Sequence, residues 1–237
     1  MSALRDVTMV GTGRIESRIA AGMIGFGVAL KRSAAGKVQA ATADNSNPGV
    51  VVGFSAQPQD GVVLDKDAFY QATNNSGNPD FVRVIKDGYA NLLVCSKGAY
   101  SIIEGDVLEM AILGGAGSGV GVLEEAGASG DVGETMLTTA LAKACEDCAT
   151  ASLYQHPSAH VVVGDGTVTF AAGVIASLGA TVGDYIILAT AAGGCQLNRV
   201  KSLTATVMTL ELAATVATQT SDYVYKVLQC KCKILNM

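Results

Sequence analysis

Residues 81–110, FVRVIKDGYANLLVCSKGAYSIIEGDVLEM, decide the fold. Apolar and polar residues alternate there at period two, the repeat of a strand with one face in a core. The pattern breaks at Gly88 and Gly98 and restarts after Gly105-Asp106 with Val107 and Leu108. It predicts three short strands joined by two turns, a small antiparallel meander with one buried face.

Toward the amino end, Ile24, Phe26, Val28 and Leu30 alternate with small residues and read as a strand. Ala34-Ala35-Gly36 reads as a turn and Lys37–Ala40 as the return strand. Asn45 to Gly49 is a loop signal, and Val50–Phe54 is apolar throughout, as in a strand buried on both faces. Ser55 to Pro79 is polar and turn-rich and reads as a long surface excursion. Residues 1–17 have little to pack on and read as an extended arm.

Toward the carboxyl end, Gly114 to Gly119 suggests a phosphate loop, but the required Lys-Ser/Thr does not follow. A hairpin tip between strands 107–113 and 120–124 accounts for these glycines. Glu134 to Thr150 places Leu137, Leu141, Ala144, Cys145 and Cys148 on one helical stripe, which predicts a helix. The competing reading is a strand over Met136–Ala142 with a turn at Glu146-Asp147. Ala151–His160, with Pro157 inside it, reads as a junction. Beyond it, strands are expected at Val161–Val163, Val168–Phe170, Val182–Ala189, Gln196–Leu203 and Ala205–Leu212, with Tyr223–Leu228 as the closing strand.

The expected fold is mainly β: two small β-barrel or sandwich-like units with at most one short helix. The division is an arm at 1–17, a β-rich domain at 18–150 and a second β domain at 151–237. Gly105-Asp106 and Gly183-Asp184 each lead into an apolar run ending in Ala, with Gly25 to Leu30 a fainter third copy. That echo supports two related β units, with the alternative that a Gly-Asp turn entering a buried strand is shared grammar of small barrels and not duplication.

Composition narrows the function. Hydrophobic residues are 49% of the 237, yet aromatics are only 5% and Trp is absent. Small, tightly packed cores fit this better than a pocket lined by aromatic anchors. Charged residues are 16%, below the roughly 25% usual for soluble domains, as on a surface partly covered by another subunit or in a compact Ala/Gly-rich domain. Residues 1–150 hold 11 basic and 17 acidic side chains, residues 151–237 hold 5 and 4. No basic patch is dense enough to track nucleic acid. The apolar run Ile19–Leu30 contains three glycines and is too short to span a membrane. The start, MSALRDVTMV, lacks the pattern of a secretion signal, so the expected compartment is cytoplasm-like and the six cysteines are expected as free thiols.

Catalytic readings fail on spacing. Neither His156 nor His160 has a triad partner suggested by sequence, and Pro157 breaks the helix that would let them share a metal. Adjacent carboxylates at Glu124-Glu125 and Glu146-Asp147 point to opposite faces of a strand and read as solvated rims. Cys145, Cys148, Cys230 and Cys232 offer four thiolates to zinc, but CxxC and CxC stand about 80 residues apart, without ribbon spacing. No catalytic residue, metal or cofactor is expected.

Residues 18–54, RIAAGMIGFGVALKRSAAGKVQAATADNSNPGVVVGF, resemble the amino-terminal unit of capsid decoration (cement) proteins of tailed phages. The likeness rests on Ala21-Gly22, Gly36-Lys37-Val38, Ala40 to Ala43 and Val51-Val52-Gly53. Ile103-Glu104-Gly105-Asp106-Val107-Leu108 resembles the next part of that domain, so about residues 15–125 are covered. The resemblance implies a non-enzymatic virion protein on the capsid exterior, assembled in the host cytoplasm. Its partners would be the major capsid protein and itself, trimers included, without nucleic acid or membrane. The expected contacts with capsid or neighbours are Arg5, Thr12 and Arg14 in the arm and Asp60, Asn74 and Asn75 in the long loop. Another virion subunit (tail, fibre or shell) would share this composition. A β-barrel ligand-binding module is the other alternative, though it would usually carry clustered exposed aromatics, and the seven tyrosines here are scattered but for Tyr223 and Tyr225.

Overall fold

The computed structural model describes residues 14–33, 36–42, 51–58, 64–66, 68–95, 101–111, 120–126, 140–148, 154–155, 157, 161–190, 194–216 and 223–235. In chain order the first strands are β1 (Ile15–Ile19), β2 (Ile24–Gly25), β3 (Ala29–Arg32), β4 (Val38–Ala40), β5 (Val51–Ser55) and β6 (Phe69–Tyr70). Next come β7 (Phe81–Ile85), β8 (Gly88–Val94), β9 (Val107–Met110), β10 (Leu123–Glu125), β11 (Ala142–Ala144) and β12 (Tyr154–Gln155). The last are β13 (Thr167–Thr169), the short helix α1 (Val174–Leu178), β14 (Tyr185–Ala189), β15 (Cys195–Leu203), β16 (Val207–Leu210), β17 (Tyr223–Lys226) and β18 (Leu228–Ile234). The protein is mainly β, with one short helix among the described residues.

Three larger assemblies share the core. The first is an antiparallel sheet in the order β1-β7-β5-β3-β4, with Val82, Val84, Leu30 and Val38 buried beneath it. Ala20, just past β1, bridges Val38 and draws its two edges together. The second is a closed five-stranded barrel, β10-β8-β18-β11-β9. Its interior takes Ala90, Leu92 and Val94 from β8, Leu108 from β9, Ala142 and Ala144 from β11, and Cys230, Cys232 and Ile234 from β18. So few strands enclose little space, so small side chains dominate its filling. The third is a six-stranded sheet, β12-β17-β14-β15-β16-β13. Its central strand β14 is buried along its whole length. Ile186 and Leu188 face a cluster with Val168, Met208 and the α1 residues Ile175 and Leu178. Tyr185, Ile187 and Ala189 face the cluster shared with the first sheet.

Several expectations change. The three strands of 81–110 exist, but they form no meander: β7 pairs with β1 and β5, β8 with β10 and β18, and β9 with β10 and β11. Alternation fixes which face of a strand is buried, not which strand lies beside it. The β9–β10 hairpin is found as expected; its tip, 112–119, lies outside the described residues. The strand expected over Ile24–Leu30 is interrupted by a turn at Phe26-Gly27, while β3, β4 and β5 match the hairpin and the apolar strand that follows. Val161–Val163 is not a strand.

The expected helix is contradicted over 140–148, and residues 134–139 and 149–150 lie outside the described residues. Leu141, Ala142 and Ala144 are buried and Lys143 is exposed, because β11 ladders with β9 on one side and β18 on the other. Over so few residues, periods of two and 3.6 fit the same apolar positions. The helix that does form, α1, is bounded by Gly173 and Gly179, both in the left-handed region. Tyr223–Leu228 does not close the chain: Val227 separates β17 from β18, which crosses back to pair with β8 inside the segment assigned to the first domain.

Tyr185 locks the third assembly to the two-stranded β2–β6 pair and the turn that follows β2. Its buried hydroxyl donates to the Ala68 carbonyl at 2.7 Å and accepts from the Phe26 N–H at 3.2 Å. Its ring meets Phe69 edge-on at 5.7 Å. Burial pushes its phenol well above the usual range. Tyr185→Phe keeps the ring and orphans both backbone groups, so it is expected to cost about 2 kcal/mol in denaturant unfolding. Tyr89→Phe, at an exposed position, is expected to cost nothing measurable; equal effects would contradict this role.

Candidate functional site

The outer edge of the first sheet carries the densest charge grouping among the described residues. On β1, Glu16 meets Arg14 at 3.0 Å and Arg18 at 2.8 Å, and Lys86, just past β7, reaches it at 2.8 Å. Hydrogen bonds from Lys86 and then Arg18 hold the Glu16 carboxyl down at about 2, from an ordinary 4.5. The Arg14 N–H donates to Asp87 at 2.7 Å, pinning the start of the strand. The opposite face of β1 presents Ile15, Ser17 and Ile19, with Phe81 directly across from Ile19. Phe81 is 67% exposed at one end of the ladder, and Ile15 is exposed at the other, opposite Ile85. Between these ends stand Ser17 and Arg83, and an edge strand that exposes apolar and charged side chains together is a natural docking element.

The residues expected to make contacts fare unevenly. Arg14 is exposed on that edge. Asn75 is exposed, and its N–H donates to Asp65. Asn74 is taken up inside its own loop: its side-chain oxygen accepts from the N–H groups of Ser76 and Asn78, and its amide donates to Asp80 at 3.1 Å. Asp80 also accepts the Gln71 N–H at 2.7 Å, so residues 71–80 form a hydrogen-bonded loop. Arg5, Thr12 and Asp60 lie outside the described residues. Sequence reasoning missed Glu16, Arg18, Lys86 and Phe81; the alternation of Arg14-Ile15-Glu16-Ser17-Arg18-Ile19 was the available signal.

The Gly-Asp echo corresponds to a recurring turn, with a different third copy. At Asp106, Asp165 and Asp184 the carboxylate accepts the N–H of the residue three before it, at 2.8, 3.0 and 2.8 Å. Gly105, Gly164 and Gly183 supply the positive φ that each turn requires, 103°, 98° and 96°. Asp165 joins the set, and Gly25 does not. These stiff turns present Ile103, Val162, Val163 and Val182 to solvent.

Two interior features have chemical character. A mostly apolar cleft of about 420 Å³ lies between the first and third assemblies, lined by Met23, Phe69, Leu197, Gln196 and Glu211 among others. At the barrel, Glu146, Cys148 and Cys230 bring their donor atoms together. All six cysteines are free thiols. At Cys230, hydrogen bonding with Cys148 lowers the thiol pKa, but Cys232, burial and the Glu146 carboxylate outweigh it and push it well up. Glu124 is buried, not the solvated rim expected; Glu125 is half-buried. No helix among the described residues is long and apolar enough to cross a membrane.

Because the folded state depresses the Glu16 pKa, its contribution is present above about 4.5 and is lost as pH falls toward about 2. Glu16→Gln is therefore expected to lower thermal stability at pH 7, with the gap to the parent closing over that acid window and narrowing in high salt. A gap independent of pH in thermal unfolding would contradict the assignment. No protein-family model matches this chain, and no curated protein matches it.

Proposed function

We propose that this is a non-enzymatic virion structural protein that binds the outer surface of an assembled phage capsid. It stabilises the shell by bridging major capsid subunits. The observation that carries this reading is the β1 edge, which exposes Phe81 and Ile15 at its two ends beside the Arg14–Glu16–Arg18–Lys86 charges. The resemblance over residues 15–125 supports it. Such a protein binds the assembled lattice and not free subunits, so mass action favours assembly. Weak contacts repeated over a shell gain by avidity. Self-association around local symmetry axes belongs to the same reading.

The cleft between the first and third assemblies favours a second reading, a β-barrel module that binds an apolar small molecule. The two separate in a pelleting experiment with empty phage heads. The protein is expected to co-sediment at a stoichiometry near that of the capsid lattice. Phe81→Glu is expected to weaken binding at least roughly tenfold, the loss of a central apolar anchor, with unfolding unchanged because the side chain is exposed. Absence from the pellet overturns decoration, and full binding by the Phe81 variant overturns the assigned edge.

A further inference from the structure

The geometry points to a site for a soft divalent cation of the zinc class, held by Glu146, Cys148 and Cys230 at the rim of the barrel. Each residue offers one donor atom, and the three lie within 4.8 Å of one another. A tetrahedral zinc ion, with bonds of about 2.3 Å to sulfur and 2.0–2.2 Å to oxygen, spaces its donors roughly 3.5–4 Å apart. Small side-chain adjustments close that difference. Two sulfurs and one carboxylate suit zinc or cobalt, whereas calcium and magnesium take oxygen donors.

The donors come from two segments, the 145–148 bend and β18, which the fold pins together. Cys148 sits where the chain bridges to Ile102, its N–H donating to that carbonyl at 2.7 Å. Cys230 is on β18, fully buried. The bend at Cys145-Glu146 is tied to β18 twice: Cys145 N–H donates to the Lys231 carbonyl at 2.8 Å, and Lys231 N–H donates to the Glu146 carboxylate at 2.9 Å. That second bond aims the carboxylate at the strand carrying Cys230. Glu146 is half-exposed, which gives an ion a path in and a water the fourth position. The CxxC and CxC spacings thus contribute one cysteine each, and the carboxylate between Cys145 and Cys148 supplies the third donor. Binding displaces the thiol protons to solvent, as metal thiolates require.

The test uses the full chain, reduced and kept free of oxygen, titrated with cobalt(II) and then with zinc(II). One equivalent of cobalt is expected to give a near-ultraviolet thiolate-to-metal band that zinc abolishes. Cys148→Ser is expected to remove the band. Glu146→Gln keeps an oxygen for the Lys231 N–H and is expected to weaken affinity at least roughly tenfold, no less than the loss of an outer partner costs. Zinc is expected to raise the melting temperature of the parent more than that of Glu146→Gln at the same zinc concentration. Because Glu146 is at the rim, that variant tests the site even if Cys148→Ser fails to fold. Cys195→Ser, at the distant cleft, is expected to bind normally. No band, a band indifferent to Glu146→Gln, or a band lost with Cys195→Ser overturns the site.

Discussion

The ladder between β8 and β18 is the constraint on which the rest of the structure depends. Seven consecutive pairs, from Leu228 opposite Val94 to Ile234 opposite Gly88, join the end of the described chain to its first half. That pairing completes the barrel wall and encloses the small side chains inside it. It also orders the barrel's outside. Leu93 faces away from the interior, into the cluster beneath the first sheet, and its N–H donates to the Gly27 carbonyl at 2.9 Å. Gly27 has φ +79°, and a Cβ there would stand 2.9 Å from the Asn91 carbonyl, so only glycine lets the first sheet come so close. At the other end, Val227 alone separates β17 from β18, and its N–H donates to the Tyr185 carbonyl at 3.0 Å. The six-stranded sheet therefore runs directly into the barrel.

Much of this was legible as local structure. Strand segments over 29–40, 51–55, 81–94 and 185–210 follow from alternation, turn glycines and β-branched residues. Partner choice was not legible, since it depends on which buried faces complement each other across long separations. Cys230-Lys231-Cys232-Lys233-Ile234 shows the difficulty. Its period-two alternation is that of a half-buried strand, and β18 buries Cys230, Cys232 and Ile234 while Lys231 and Lys233 stay exposed. Cysteine spacing drew attention to metal chemistry and away from the strand. Both readings describe the same side chains: an inward face built from small thiols, one of which meets Cys148 and Glu146.

The surface was less legible than the interior. Polar, glycine-rich composition marked the loop around Asn74 for outward contacts, yet most of that polarity is spent holding the loop to Asp80. The apolar groups on the exterior instead sit on stiff frames, the β1 edge beside Phe81 and the three Gly-Asp turns. Displayed on such frames, they lose little conformational freedom when covered. That suits a protein whose proposed work is to make many modest contacts on a lattice, and it gives the low overall charge a physical sense.

The most direct test of the account is amide hydrogen exchange across β8 and β18, resolved by peptide mass spectrometry. If their ladder is what the rest of the structure depends on, residues 88–94 and 228–234 will exchange together, in the slowest class, at the rate of global unfolding. Faster exchange of 228–234, with 88–94 still protected, would show that the barrel stands without its last strand and would contradict the account.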